Sequence, residues 1–263
     1  MLHRSPAGRR YGYLRDRADH RDLSLRTLRF ALPQNLPSSV DLSPYTGPVK
    51  DQGDLGACTA FAGTGLREFL LKRYQPHLDF TPLSPLFLYY LERQFDGSLT
   101  LGDTGSTGRT SVHCMNTFGV CPESKDPYDP QQFTVAPTPD QITAAEAYKS
   151  GAYHRLQTVG DMRSCLASGY AFLVGFTVYA SFESTWSTPG YMPVPNFDRE
   201  YQLGGHEVLF IGYDDDKSAF LVRNSWGPSW GLSGNFYFPY SAAADSRILM
   251  DAWIQHLGRP WIN

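Results

Sequence analysis

Asp51-Gln52-Gly53-Asp54-Leu55-Gly56-Ala57-Cys58-Thr59-Ala60-Phe61 is a glycine-rich turn running into a helix, with a single cysteine at the junction. The helix is read from periodicity. Ala62, Leu66, Phe69, Leu70 and Arg73 fall on one face, and Pro76 closes the segment. A cysteine at a helix N-terminus meets the positive end of the macrodipole, which favours the thiolate, the nucleophilic form. Gln52 lies on the far side of the turn, so its side-chain amide can return to the same spot as a donor to developing negative charge. This is half of an acyl-transfer site, and the missing half is a histidine with a group to orient it.

Both stand far downstream. His206 lies in Leu203-Gly204-Gly205-His206-Glu207-Val208-Leu209-Phe210-Ile211-Gly212-Tyr213, an apolar run that reads as a rigid strand. Asn224 ends the next strand, in Val222-Arg223-Asn224-Ser225-Trp226-Gly227. A tight hairpin at Asp214-Asp215-Asp216-Lys217 would bring the two to the same end of neighbouring strands. An Asn amide oxygen there can accept from His Nδ1–H and aim Nε2 at the sulfur. Trp226 is placed to keep water off the pair.

The first half of the chain reads as helical and the second as sheet. Ser84 caps a helix that starts at Pro85, with Leu86, Phe87, Tyr90 and Leu91 on its apolar face. A short helix is expected over 111–118, another over 138–148 and one over 161–168. Strands are expected over 152–159, 171–178, 203–213, 219–224 and 235–240. Helices followed by strands predict an α+β chain in two lobes, the helical one over about 50–135 and the sheet lobe over about 136–240 with an extended lead-in at 36–49. The proline-rich segment 122–139 is the expected crossover between them.

Residues 1–35 form an arm of opposite charge to the body. It holds eight arginines against three aspartates, although the whole chain carries a net charge of −3. Leu23, Leu25, Leu28, Phe30 and Leu32 interleave the arginines, with helical spacing from Leu25 to Leu32. Such an arm serves as a short prosegment or lid over its own acidic body, as a binder of an anionic partner, or as a solvated tail; the interleaved apolar residues favour the lid.

Other chemistries find little support. The loop over 99–110 lacks the Gly-Lys-Ser/Thr of a phosphate-binding loop. His113, Cys114 and Cys121 match no zinc spacing, and no glutamate follows Asp214–Asp216 at calcium-loop spacing, so no metal or cofactor is expected. No apolar run is long enough to cross a membrane, and the first residues lack the apolar stretch of a secretory leader. Four cysteines do not make a disulfide scaffold; Cys114 and Cys121 can bridge, but reduced buried thiols are the favoured reading.

Gln52 with Cys58, Gly205-His206 with Gly212-Tyr213, and Asn224-Ser225-Trp226-Gly227 with Trp230-Gly231 together resemble the papain family of cysteine peptidases, and its bacterial branch in particular. The distance from Cys58 to His206 falls in the family window of roughly 130–150 residues; that to Asn224 is longer, which points to insertions in the second lobe. The likeness covers about residues 36–240. It implies a two-lobed papain-like fold with a β-barrel-like second lobe and a cleft between the lobes. It also implies an endopeptidase, acting as a monomer on peptide or protein substrates, with catalytic Cys58, His206, Asn224 and Gln52. Gly105 and Ser106 match the loop that pairs with substrate backbone, with Gly205, Glu207 and Trp226 also at substrate positions. Glu207 stands near the second specificity pocket and is expected to bias it toward basic or polar side chains. Two departures stand out: Leu55 replaces a disulfide-forming cysteine, and Thr59 replaces the usual aromatic after the nucleophile. The competing readings are a catalytically silent binding module on the same fold and, more weakly, a transglutaminase-like acyl transferase.

Overall fold

Strand β4 (Gln202–Asp214) is the spine of the molecule. From Gly205 to Tyr213 every residue is buried, because partners flank both edges and α1 (Cys58–Tyr74) packs on it. The computed structural model describes residues 5–25, 35–184 and 190–257. The helical spacing read over Leu28, Phe30 and Leu32 lies outside them.

Three helices pack together on the first half of the chain: α1, α2 (Pro85–Phe95) and α3 (Gly108–Thr117). The Ser84 hydroxyl accepts from the Phe87 N–H at 3.1 Å, so α2 begins where its cap and Pro85 predict. Helix α3 begins three residues before the expected start, because the Thr107 hydroxyl caps it by accepting from the Thr110 N–H. In α1, residues 58–64 and 66–71 are all buried, so it is a central helix rather than an amphipathic surface one. Its buried Glu68 accepts from the Leu83 N–H at 2.8 Å and pairs with Lys50 at 2.9 Å.

After α4 (Pro139–Ala145), β2 (Tyr153–Arg155) and α5 (Val159–Ala167) come β3 (Phe172–Tyr179) and α6 (Ala180–Ser184). Beyond β4 lie β5 (Ala219–Arg223), β6 (Asn235–Pro239), α7 (Tyr240–Ala243) and β7 (Leu249–Gln255). The sheet is antiparallel in the order β2-β7-β3-β4-β5-β6, and the lead-in strand β1 (Ser39–Asp41) pairs with the far end of β4. The mixed helix and antiparallel-sheet class is as expected, but the sheet is open: β2 and β6 are its ends and do not pair with each other. It also runs past residue 240, since β7 inserts between β2 and β3. Residues 251–255 are all buried, so β7 lacks the alternation that marks a half-exposed strand.

Candidate active site

The position of Cys58, the expected nucleophile, is set by α1. Cys58 is its first residue, with Ala57 as an N-cap that offers no side-chain acceptor. The backbone of Glu207 and of Gly12 opposes the rise of the Cys58 pKa, so the sulfur lies near the residue that follows His206. All four cysteines are free and buried, so Cys114 and Cys121 are not bridged.

His206 is carried by β4 opposite Phe176 of β3, and Asn224 follows the end of β5. The hairpin brings them together as predicted: His206 Nε2 lies 2.8 Å from Asn224 Oδ1. The assignment of the two ring nitrogens is reversed relative to expectation. Nε2 faces Asn224, while Nδ1 is buried with no hydrogen-bond partner among the described residues, so Nδ1 is the nitrogen left for the sulfur. Trp226 stacks on the imidazole with ring centres 4.7 Å apart and planes at 24°. Ser225 N–H donates to Asn224 Oδ1 at 2.8 Å, which fixes the amide orientation.

Gln52 is tied to the same loop. Its N–H donates to the Ser225 carbonyl at 2.9 Å, and its Oε1 accepts from the Ser225 hydroxyl at 2.6 Å. Its Nε2 donates one hydrogen to Leu55 O at 3.0 Å, leaving the other for a ligand. Behind the nucleophile, Thr59 donates to the fully buried Glu92 of α2 at 2.6 Å. A polar contact therefore occupies the place of the missing aromatic. Sequence reasoning did not single out Glu92, since a glutamate within a helix gives no signal of its burial.

The arm occupies the ground between these groups. Tyr13 N–H donates to Gly205 O at 2.9 Å, Ser106 N–H to Gly12 O at 2.9 Å, and Leu14 N–H to Ser106 O at 2.8 Å. Three of the positions expected to touch substrate, Gly105, Ser106 and Gly205, thus meet the chain's own backbone, and a Cβ on Gly12 would come within 1.8 Å of Gly56 O. Beneath this cover Cys58 and His206 are both fully buried. Burial pushes the thiol up to about 12 and the imidazole down to about 4, with the Asn224 contact opposing the latter and Arg9 reinforcing it. Arg9 lies 4.0 Å over the far partner, Trp226. The helix dipole does not outweigh this loss of solvent. Glu207 is buried with neither oxygen hydrogen-bonded among the described residues, and burial raises its pKa well above the usual range.

The arm is held by charges of the sign opposite to that expected as well. Arg10 of the arm does pair with Asp103 of the body at 2.8 Å. Yet Asp22 pairs with Arg109 and Arg155 at 2.6 and 2.7 Å, and Asp16 with Arg155 at 3.2 Å. Trp253 N–H adds a 2.7 Å hydrogen bond to Asp16.

The model of the papain family cysteine proteases matches residues 36–254. This chain belongs to the papain family of cysteine proteases. Xylellain, a cysteine protease from Xylella fastidiosa, is similar in structure at a TM-score of 0.85, with 33% identity over 95% of this chain and 96% of that one. An uncharacterised peptidase C1-like protein, L477, of Acanthamoeba polyphaga mimivirus is 34% identical over 98% of this chain and 91% of its own length. Cathepsin K of Mus musculus is 27% identical over 76% of this chain, which spans only 58% of that longer protein. This papain-family member is accordingly a hydrolase of the cysteine peptidase class. Among the described residues no helix is long and apolar enough to cross a membrane.

Proposed function

We propose that Cys58, His206, Asn224 and Gln52 carry out endopeptidase cleavage and that the N-terminal arm controls entry to the cleft. The observation that supports this most is the 2.8 Å contact of His206 Nε2 with Asn224 Oδ1, which leaves the buried Nδ1 without a hydrogen-bond partner among the described residues. In the open site Nδ1 takes the Cys58 proton and the sulfur attacks the scissile carbonyl carbon. The resulting oxyanion takes hydrogen bonds from the Cys58 N–H and the free hydrogen of Gln52 Nε2, each contributing roughly 3–4 kcal/mol in comparable sites. Collapse breaks the C–N bond, and the proton on Nδ1 passes to the leaving amine. A water then gives its proton to Nδ1 and its oxygen to the thioester carbon, releasing the acid and the thiol. Asn224 accepts from Nε2–H and so fixes the tautomer in which Nδ1 is the base.

The arm acts as a cover rather than a substrate. The Gly12 carbonyl is engaged by the Ser106 N–H at 2.9 Å, one of the backbone bonds a substrate would make. Gly105, Ser106 and Gly205 then serve substrate backbone once the arm leaves, with Trp226 as the shield of the pair and Glu207 in the adjoining pocket wall. Glu207 without a partner supports polar rather than apolar occupants there. Hydrolysis of a fluorogenic dipeptide tests the reading, using the full chain, a chain beginning at Leu36, and each with Cys58→Ala. Activity is expected in both Cys58 forms, higher without the arm, and in neither alanine form. An inactive pair with the fold intact would favour the binding-module reading.

A further inference from the structure

The side chain next to Gly12 does not face solvent. Tyr13 is 3% exposed. Its ring lies on Gly175 of β3, where a Cβ would come within 2.0 Å of the ring Cζ. Its hydroxyl donates to Asp251 Oδ2 at 2.7 Å. Gly175 and Asp251 are direct partners across β3 and β7, so the two make the floor and the end of one side-chain pocket. The mouth of that pocket is formed by Gly205 and Ser106, the backbone edges on either side of Tyr13. A substrate held by those same edges would send a side chain into the same pocket.

Asp251 is equipped to read a hydroxyl. Its Oδ1 pairs with Arg155 Nη1 at 2.7 Å, a counter-ion that belongs to the body and stays when the arm leaves. Among the described residues its Oδ2 accepts only from the arm, from the Tyr13 hydroxyl and from the Asp16 N–H at 3.0 Å. Once the arm is displaced, this buried oxygen has lost both donors. A phenylalanine in the pocket would leave it so, whereas a tyrosine restores the bond. A cationic side chain would meet an Asp251 already paired with Arg155.

We propose that Asp251 is a specificity-determining residue and that the pocket over Gly175 selects a tyrosine side chain in the substrate, the group that Tyr13 mimics in the closed chain. The proposal rests on the reading of Cys58 as the nucleophile of a peptidase.

The test uses the full-length chain with Gly12→Ala and Tyr13→Ala together, which lifts the arm and vacates the pocket. Two fluorogenic dipeptides are compared, differing only in tyrosine or phenylalanine one residue before the cleaved one. The expected ratio of kcat/KM, tyrosine over phenylalanine, is about tenfold or more, since a site built to bond a hydroxyl discriminates against its absence. Asp251→Ala should bring the ratio to about one, because the acceptor is gone. A ratio near one in the parent, an unchanged ratio in Asp251→Ala, or a preference for arginine over both aromatics overturns the proposal. If Asp251→Ala does not fold, Gly175→Ala replaces it and should abolish the preference for tyrosine over an alanine peptide; a preference that survives overturns the proposal. Epoxide-capped versions of the same peptides separate the two readings. Labelling of Cys58 ten times faster by the tyrosine reagent, without turnover, would sink hydrolysis and keep the pocket. Turnover with no such preference would sink the pocket and keep hydrolysis, and failure of both reagents to label Cys58 would sink both.

Discussion

His206, the base of the proposed mechanism, shows how much one contact decides. Its Nε2 bond to Asn224 leaves Nδ1 as the only ring nitrogen available for the sulfur. Asn224→Ala removes the acceptor and frees both tautomers. The expected outcome is a fall in kcat of about 10²-fold with KM changed by less than about fivefold, in initial-rate kinetics. Thr59 and Glu92 are the other case at this scale. Burial raises the Glu92 carboxyl to about 8, with the Thr59 hydroxyl opposing it. A carboxyl raised in the fold binds its proton more tightly there than in the unfolded chain. Its stabilising contribution is therefore complete below the usual carboxylate range and is lost as pH rises toward about 8. Glu92→Gln keeps an acceptor for Thr59 and carries no charge. Its stability relative to the parent should rise between about pH 4.5 and 8 in urea unfolding and level off above. A pH-independent difference would show that Glu92 does not titrate in this way.

At the scale of the element, the arm segment around Gly12 depends on close backbone approach. A Cβ at Gly12 would meet Gly56 O at 1.8 Å, and backbone on both sides prevents an easy adjustment. Gly12→Ala should therefore lift the arm from Cys58. The closed site holds a thiol near 12 and a neutral imidazole near 4, so its alkylation rate should still be climbing at about pH 9–10. The Gly12→Ala chain should react with iodoacetamide at least about tenfold faster at pH 7. Equal rates in the two chains would show that the arm does not shield the sulfur. Local sequence made some of these elements plain and hid others. The Ser84-Pro85 start of α2 and the apolar runs of β3 and β4 depend on near neighbours, and they stand where they were read. Strand β7 is not legible in the sequence, because Asp251 and Gln255 break its apolar pattern while being buried by residues far away in the chain. The start of α3 was read late, since Gly108 and Arg109 give a weak helical signal until Thr107 caps them.

Across the whole molecule, Arg155 joins arm, sheet and pocket. It pairs with Asp16 and Asp22 of the arm and with Asp251 of β7. Arg155→Met keeps much of the packing against Trp253 but leaves three carboxylates without this cation. The expected cost is about 3 kcal/mol, or roughly 6–12 °C in Tm for a chain of this size. Because two of the three pairs hold the arm, limited proteolysis within residues 5–25 should also speed up. A Tm within about 2 °C of the parent would mean that the network contributes little.

The sequence by itself determined the chemistry-bearing set and the order of its parts: a cysteine at a helix start, a glutamine before it, and a histidine and an asparagine on consecutive strands. These follow from turn residues, caps and apolar patterning, which act over a few positions, and from a spacing that resembles one family. The tertiary structure alone decided which imidazole nitrogen faces Asn224, that Thr59 is backed by Glu92, that the sheet stays open, and where the arm lies. It also decided the sign of the contacts that hold the arm, where net charge pointed to arginines on acids and Asp16 and Asp22 instead meet Arg109 and Arg155. Each of these depends on burial or on groups from different elements, 18 residues apart for His206 and Asn224 and 139 for Asp16 and Arg155, and neither is encoded in any short stretch of chain.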